Sequence, residues 1–356
     1  MIQKRLTNLH QLMEKHNLGG IIITKPENRR YFSGFTGSAG LLLVNRQSQK
    51  LITDFRYIEQ AKQQAPLYQI VRHKASILDT LAENANKLGK VRIGFESDFV
   101  TWEIHRNLVN CLPNAELIPI QIDALRMIKD DNELTLLRKA VEIADSAFNQ
   151  ILSIIKPGVT ELEIASELEY QMRKLGSAKP AFDTIVASGA RGALPHGLAS
   201  TKVIETGDFI TIDFGAVYQG YHSDMTRTVV VGKATAKQRE IYNIVLTAQL
   251  AGIKAVKTGK SGKDVDAVSR QIISDAGYGE YFGHGLGHGV GLVIHEDPRL
   301  SPSSNSILAE GMIVSVEPGI YLPDWGGVRI EDLVVVSATG CTILTTSGKD
   351  LIELGI

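Results

Sequence analysis

One pattern constrains this chain more than any other: a strand–turn–strand segment with an acid on each arm, present twice. The first copy, GDFITIDFGAVYQGYHSDMTRTVVV (Gly207 to Val231), alternates apolar residues ahead of a Gln219-Gly220 turn. It closes on a β-branched run from Thr226 to Val231. With a two-residue turn there, Asp213 faces Thr226 and Gly215 faces Asp224. The two acids then lie on one face as diagonal neighbours, roughly 7–8 Å apart at the backbone. A buried strand excludes an unpaired carboxylate, which loses its hydration. Two acids aimed at one point therefore fit a cation between them, the alternative being that they face solvent. The second copy follows 104 positions later, where Gly207, Ile212, Asp213 and Gly215 recur as Gly311, Val316, Glu317 and Gly319. A second acid completes each copy, Asp224 at 11 residues after Asp213 and Glu331 at 14 after Glu317. Each copy also follows a pair of predicted helices, about Asp130–Leu175 and Ala236–Ala276. The expectation is two α-α-β-β halves closing around one site, each supplying two carboxylates.

Five of the nine histidines lie between His196 and His295: His196, His222, His284, His288 and His295. Three of them fall in GHGLGHGVGLVIHEDP, whose glycines leave room for close approach to the backbone. Four carboxylates and an imidazole suit hard or borderline divalent ions such as Mn²⁺, Co²⁺, Zn²⁺ or Fe²⁺. Two such ions balance four negative charges, lower the pKa of a bridging water and clamp a developing oxyanion, which is hydrolytic chemistry. A non-haem iron oxygenase would instead want two histidines and one carboxylate.

The 356 residues favour two domains. The N-terminus spaces Ile2, Leu6, Leu9, Leu12 and Met13 as an amphipathic helix, without the apolar core and cleavage site of a signal peptide. Next come the strand IIIT, a Gly/Ser-rich loop and apolar strand over Arg29 to Val44, and the strands LITDF, QIVRH and VRIGFE. These alternate with helices near 58–64, 76–88 and 101–109, which predicts a small α/β domain. GFTGSAG lacks the lysine ending of a phosphate loop and reads as a turn. We place the domains at 1–124 and 125–356. The second opens on a helix capped by Asp130 or Asp131, with a buried stripe of Leu134, Leu137, Ala140, Val141, Ala144 and Phe148. A capping box at Thr160–Glu163 starts the next helix. A net charge of -1 gives no electrostatic case for nucleic acid or an anionic membrane, and no apolar run reaches the length of a span. Cys111 and Cys341 fit no metal-ligand spacing, which points to a reduced, cytoplasmic setting.

The segments DFG…YHSDMTRT, PHG, GHGLGHGVG…HEDP, VEPGIY and VRIED closely resemble those of the dinuclear-metal peptidases of the pita-bread fold. Methionine aminopeptidase, aminopeptidase P and prolidase belong to that group. The motifs span about Pro195 to Asp332, and the likeness in type runs from Leu125 to the C-terminus. The first domain resembles the creatinase/prolidase-like α/β domain that methionine aminopeptidase lacks. The resemblance implies an α+β pita-bread catalytic domain with an internal pseudo-twofold repeat. It implies that Asp213, Asp224, His288, Glu317 and Glu331 bind two divalent ions, Mn²⁺ first and Co²⁺ or Zn²⁺ as alternatives. Asp224 and Glu331 would bridge them, Asp213 would hold one, and His288 with Glu317 the other. His196 and His295 would contact the scissile peptide and the tetrahedral intermediate, and Glu317 would carry the proton of a bridging hydroxide. His284 and Arg329 match residues near the substrate and the Glu331 carboxylate. All five ligand positions keep the pattern, which argues against a metal-free creatine hydrolase or a dead peptide-binding module. The implied substrate is a peptide with proline second, whose tertiary amide needs a dedicated pocket. A homodimer with its N-terminal domains in contact is implied as well. Between specificities, YFSGFTGSAG and the chain length resemble small bacterial aminopeptidases P, the reading favoured here. Arg299 sits where some prolidases pair an arginine with the dipeptide carboxylate, its bland reading being a solvated loop charge, and prolidase stays as the alternative to aminopeptidase P.

Overall fold

The structure, a computed structural model, describes residues 1–355. It separates into two compact units, Met1–Arg126 and the remainder from Met127.

The first unit runs α1 (Ile2–Lys15), β1 (Gly20–Ile23), α2 (Pro26–Ser33), β2 (Leu41–Asn45), β3 (Gln49–Thr53), α3 (Ile58–Gln64), β4 (Gln69–Arg72), α4 (Ile77–Ala85), β5 (Val91–Glu96), α5 (Trp102–Cys111) and β6 (Ala115–Ile120). The sheet order is β4-β3-β2-β1-β5-β6. The β1–β2 and β2–β3 pairs are antiparallel and the others parallel. Ile22, Leu43, Ile52, Leu81, Ile93 and Leu108 form the core beneath the helices. Two elements depart from expectation. The segment read as loop from Arg29 is the second half of α2, which Pro26 opens and Gly34 closes in the left-handed region at φ 84°. Its buried face carries Asn28 and Arg29 beside Tyr31 and Phe32, so no apolar stripe betrays it. Arg29 donates to the Gly37 and Gly40 carbonyls at 2.5 and 2.6 Å and so orders the glycine-rich loop. Strand β6 was not anticipated; it lies at the sheet edge, mostly half-buried and without strict alternation.

The second unit begins with α6 (Asp131–Ile151), α7 (Glu161–Lys174), β7 (Ile185–Ser188), β8 (Phe209–Phe214), the flap β9–β10 (Val217–Tyr218, Tyr221–His222) and β11 (Met225–Val231). It then repeats the plan with α8 (Ala236–Ala255), α9 (Gly262–Asp275), β12 (Gly287–Gly289), β13 (Glu296–Leu300), β14 (Ile313–Val316), the flap β15–β16 (Gly319–Leu322, Gly326–Arg329) and β17 (Asp332–Val336). Strands β18 (Cys341–Ile343) and β19 (Ile352–Leu354) follow. Three of the four helices open on reciprocal capping boxes, Asp130/Glu133, Thr160/Glu163 and Thr235/Gln238, so their starts were readable.

Two sheets result, β19-β11-β8-β7 and β13-β12-β14-β17-β18. The first packs on α6 and α7 through Phe148, Ile164, Leu168, Ile212 and Phe214. The second packs on α8 and α9 through Val245, Val265, Val314, Val316 and Val334. Asp213 pairs with Thr226 as the hairpin pattern requires, and Gln219-Gly220 turns with φ 43° and 77°. The repeat is visible in backbone detail. Gly207 and Gly311 both take the left-handed region, at φ 92° and 85°. Thr160 bridges Val203 in one half as Ser261 bridges Ile307 in the other. Among the described residues, no helix is long and apolar enough to cross a membrane.

Candidate metal centre

Each half brings its acids to the inner ends of its central strands. In the first half, Asp213 is the penultimate residue of β8 and Asp224 precedes β11, and Gly215 permits the crossing. A Cβ at Gly215 would collide with the Ser223 carbonyl, so the two acid-bearing strands close only over glycine. In the second half, Glu317 follows β14 and Glu331 precedes β17. His288, on β12, joins them: a Cβ at Gly287 would meet the Ser315 carbonyl, so β12 lies against β14 at a distance only glycine allows. The Glu331 amide donates to the Thr226 carbonyl at 3.1 Å and stitches the halves together at this point.

Oxygens of Asp213, Asp224 and Glu331 lie within 4.8 Å of one another, close enough to share a metal ion. His288 Nε2 is 3.5 Å from Asp224 Oδ2 and 3.3 Å from Glu317 Oε1. Its Nδ1 lies 3.1 Å from the Gly289 carbonyl. Donation from Nδ1 to that carbonyl leaves the Nε2 lone pair aimed at the acids, the tautomer a metal ligand needs. Asp213 Oδ1 and Glu331 Oε1 are buried and have no hydrogen-bond partner. A buried carboxylate oxygen without a donor is costly unless a cation meets it. The donor set of oxygens plus one imidazole matches the divalent ions expected from sequence.

The electrostatics separate the acids. Burial pushes Asp224 and Glu331 well above the carboxylate range, and the neighbouring acids push them further. Burial raises Asp213 too, against the pull of Arg329. Glu317 goes the other way: burial pushes up, but His288, His284 and Arg329 outweigh it and bring the carboxyl to about 2.

Around this centre lies a cavity of about 490 Å³, wholly within the second unit. The ten residues to which the family resemblance gives a site role all line it: His196, Asp213, Asp224, His284, His288, His295, Arg299, Glu317, Arg329 and Glu331. Arg329 donates to Asp213 Oδ2 at 2.6 Å, to the Tyr321 hydroxyl at 2.8 Å and to the Pro195 carbonyl at 3.1 Å. It therefore neighbours Asp213 by direct bond and reaches Glu331 only through Thr226. That hydroxyl accepts from Arg329 Nε at 3.1 Å and donates to Glu331 Oε2 at 2.8 Å. His284 Nε2 lies 2.8 Å from the Tyr321 hydroxyl. The His295 ring is 4.3 Å from that of His288. Desolvation, then His288 and Arg299, bring His295 down to about 4. Phe182, Ile185 and Leu198 give the cavity an apolar wall. His222, by contrast, does not line it; its backbone and ring nitrogens both face the Gly291 carbonyl. Sequence reasoning did not single out Tyr321, Thr226 or Ser315. Ser315 accepts from the His288 amide at 3.0 Å and donates to Glu317 Oε1 at 3.1 Å. Tyr321 closes the VEPGIY segment, which was the one available signal.

Two pseudo-equivalent halves around a buried ring of acids and one imidazole define the pita-bread metallohydrolase class. The profile of metallopeptidase family M24 matches residues 135–338, and that of the Creatinase/Prolidase N-terminal domain matches residues 5–128. The chain belongs to metallopeptidase family M24, whose peptidases use divalent metal ions. A solved Xaa-Pro dipeptidase from Bacillus anthracis is 48% identical, with a TM-score of 0.97 over 99% of this chain and 100% of that one. The Xaa-Pro dipeptidase of Pyrococcus furiosus is 42% identical over 99% of this chain and 100% of its own. A solved X-Pro aminopeptidase from Thermotoga maritima is 42% identical, with a TM-score of 0.90 over 95% of this chain and 98% of that one.

Proposed function

We propose that the protein is a dinuclear-metal Xaa-Pro dipeptidase, cleaving the bond between a first residue and a C-terminal proline. The observation that carries the dipeptide reading is the place of Arg299. It pairs with His288 across β12 and β13, so both side chains share one face of the sheet, and both line the cavity. A guanidinium there can take the proline carboxylate in a bidentate grip, which no longer peptide offers at that position. The dipeptidase names of the Bacillus and Pyrococcus proteins support the same reading. The preference for aminopeptidase P drawn from YFSGFTGSAG gives way. That segment lies in the first unit, where Arg29 holds its loop, whereas Arg299 belongs to the unit that carries the cavity.

In this reading Asp213, Asp224, His288, Glu317 and Glu331 hold two divalent ions, Mn²⁺ for preference, with Co²⁺ and Zn²⁺ suited to the same donors. Bound there, such a pair activates water and stabilises oxyanion charge. The chain's own groups do the rest. Glu317, beside His288 on the cavity wall, takes the nucleophile's proton and passes it to the departing proline nitrogen. His196 and His295 donate to the scissile carbonyl. His295 does so as a neutral imidazole, because its pKa lies at about 4. Homodimer assembly and a cytoplasmic setting belong to this reading; the free thiols of Cys111 and Cys341 support a reduced compartment.

The test is hydrolysis of Xaa-Pro against Xaa-Pro-Xaa peptides by Mn²⁺-loaded protein, with Arg299→Met alongside. The dipeptide should be strongly preferred. The variant should raise KM for it about 10- to 100-fold, the worth of roughly 1.5–3 kcal/mol for a hydrogen bond to a charged group. Equal cleavage of both peptides by the wild type would return the assignment to aminopeptidase P.

A further inference from the structure

We infer that Glu161, the first residue of α7, is a positioning residue that holds the loop carrying His196. It is fully buried and lies outside the cavity, yet five hydrogen bonds converge on its carboxylate. Oε1 accepts from the Ser188 amide at 2.7 Å and the Ser188 hydroxyl at 2.8 Å. Oε2 accepts from the Ser200 amide at 3.1 Å, the Ser200 hydroxyl at 2.7 Å and the Arg191 guanidinium. Ser188 ends β7 and Ser200 ends the loop, so one side chain grips both ends of the segment that presents Pro195, His196 and Leu198 to the cavity. Arg191 extends the grip inward by donating to the Leu198 carbonyl at 2.8 Å. From the cavity side, Arg329 holds the Pro195 carbonyl. The loop that places His196 is thus fixed from two sides by charged groups.

The pseudo-twofold repeat distinguishes this task from general support of the fold. In the first half, the Glu161 and Leu162 amides donate to the Lys202 and Ser200 carbonyls. In the second, the Gly262 and Lys263 amides donate to the Ser306 and Ser304 carbonyls. Gly262 is therefore the counterpart of Glu161, and the same helix start forms there with no side chain at that position. A Cβ at Gly262 would collide with the Arg299 carbonyl, so the backbone behind Arg299 occupies that space. The fold accepts an empty position at this helix start, and the carboxylate in the first half serves the loop.

The inference rests on peptidase action at the described cavity, and its test keeps one readout free of activity. In metal-loaded Glu161→Gln, hydrogen exchange over 188–200 should accelerate at least about tenfold while the strands at 209–231 keep their protection. The kcat on Xaa-Pro should fall at least about tenfold with metal content retained, because His196 acts on the scissile carbonyl. Arg191→Gln removes one arm and leaves Glu161 in place. It should move both readouts in the same direction by a smaller factor, and it serves if Glu161→Gln fails to fold. Unchanged exchange over 188–200, or a kcat within twofold of wild type in the folded variant, overturns the inference. Wild-type protein that ignores Xaa-Pro peptides would count against the proposed function alone, and the exchange arm would still decide the role of Glu161.

Discussion

Glu317 differs from the other acids of the centre in what surrounds it. Asp224 and Glu331 abut each other and resist ionisation, whereas Glu317 faces His288 and lies near His284 and Arg329. Its surroundings favour the charged form, the state that can accept a proton, and its proposed proton role rests on its place beside His288 at the cavity. Glu317→Gln keeps the volume and one acceptor oxygen for Ser315. We expect kcat to drop by about 10²–10⁴, the usual worth of a positioned general base, with a melting temperature near that of wild type. Steady-state kinetics with metal analysis checks this, and near-normal turnover at full metal content would remove Glu317 from the proton path. At this scale the acids and histidines were legible because each carries a local mark: acid–x–glycine after an apolar strand, an acid ahead of a β-branched closing strand, or histidine in or beside a glycine-rich run. Thr226 and Ser315 carry none, and Tyr321 has only its place at the end of VEPGIY. Thr226 matters only because it meets Glu331, 105 positions away, and such a meeting is written in the fold and in no short pattern.

Elements were readable where a single local rule governed them. The Asp130 cap and the Thr160/Glu163 capping box marked the starts of α6 and α7, and the Gln219-Gly220 turn set the hairpin register. Helix α2 escaped because its buried face is a polar network. Asn28 donates to Glu96 at 2.8 Å and to Asp123 at 2.7 Å, while Arg126 and Lys25 also bond Asp123. Such a network makes its own acid-sensitive contribution. Partial burial pushes the Asp123 carboxyl up, but Arg126, Lys25 and Asn28 outweigh it and hold it below the usual range. A depressed folded pKa stabilises above the unfolded value of about 3.9 and stops doing so as pH falls through the lower folded value. Asp123→Asn lacks this contribution. Its stability deficit should be full at neutral pH and shrink as pH drops below about 4. Urea unfolding followed by far-UV circular dichroism across roughly pH 2.5–7, the span of carboxylate titration, measures it. A deficit independent of pH would mean that the network is held by shape and not by charge.

The whole catalytic unit is built around a repulsion. Its first half contributes Asp213 and Asp224, its second His288, Glu317 and Glu331, and the halves meet where the Glu331 amide bonds Thr226. Like charges packed at such a seam oppose folding unless a cation lies between them. Metal should therefore act as a staple between the halves as well as a reagent. At a metal concentration of 100 Kd the folded state gains about 2.7 kcal/mol. For a domain of this size that corresponds to a melting shift of roughly 5–10 °C. Trp325, which packs edge-on against Phe209 at 6.0 Å in the same unit, reports the transition once Trp102 is replaced by Phe. Chelation should lower that transition and Mn²⁺ should restore it. The sharper outcome concerns Asp224→Asn combined with Glu331→Gln. Burial and the neighbouring acids oppose the ionisation of both groups, a cost the amides do not carry, so this variant without metal should melt above metal-free wild type, yet gain little from Mn²⁺ and hydrolyse nothing. A catalytic site maintained against the stability of its own fold gives that crossing of curves. If the variant instead melts below metal-free wild type, the acids are held by the scaffold at no cost, and the staple is not needed.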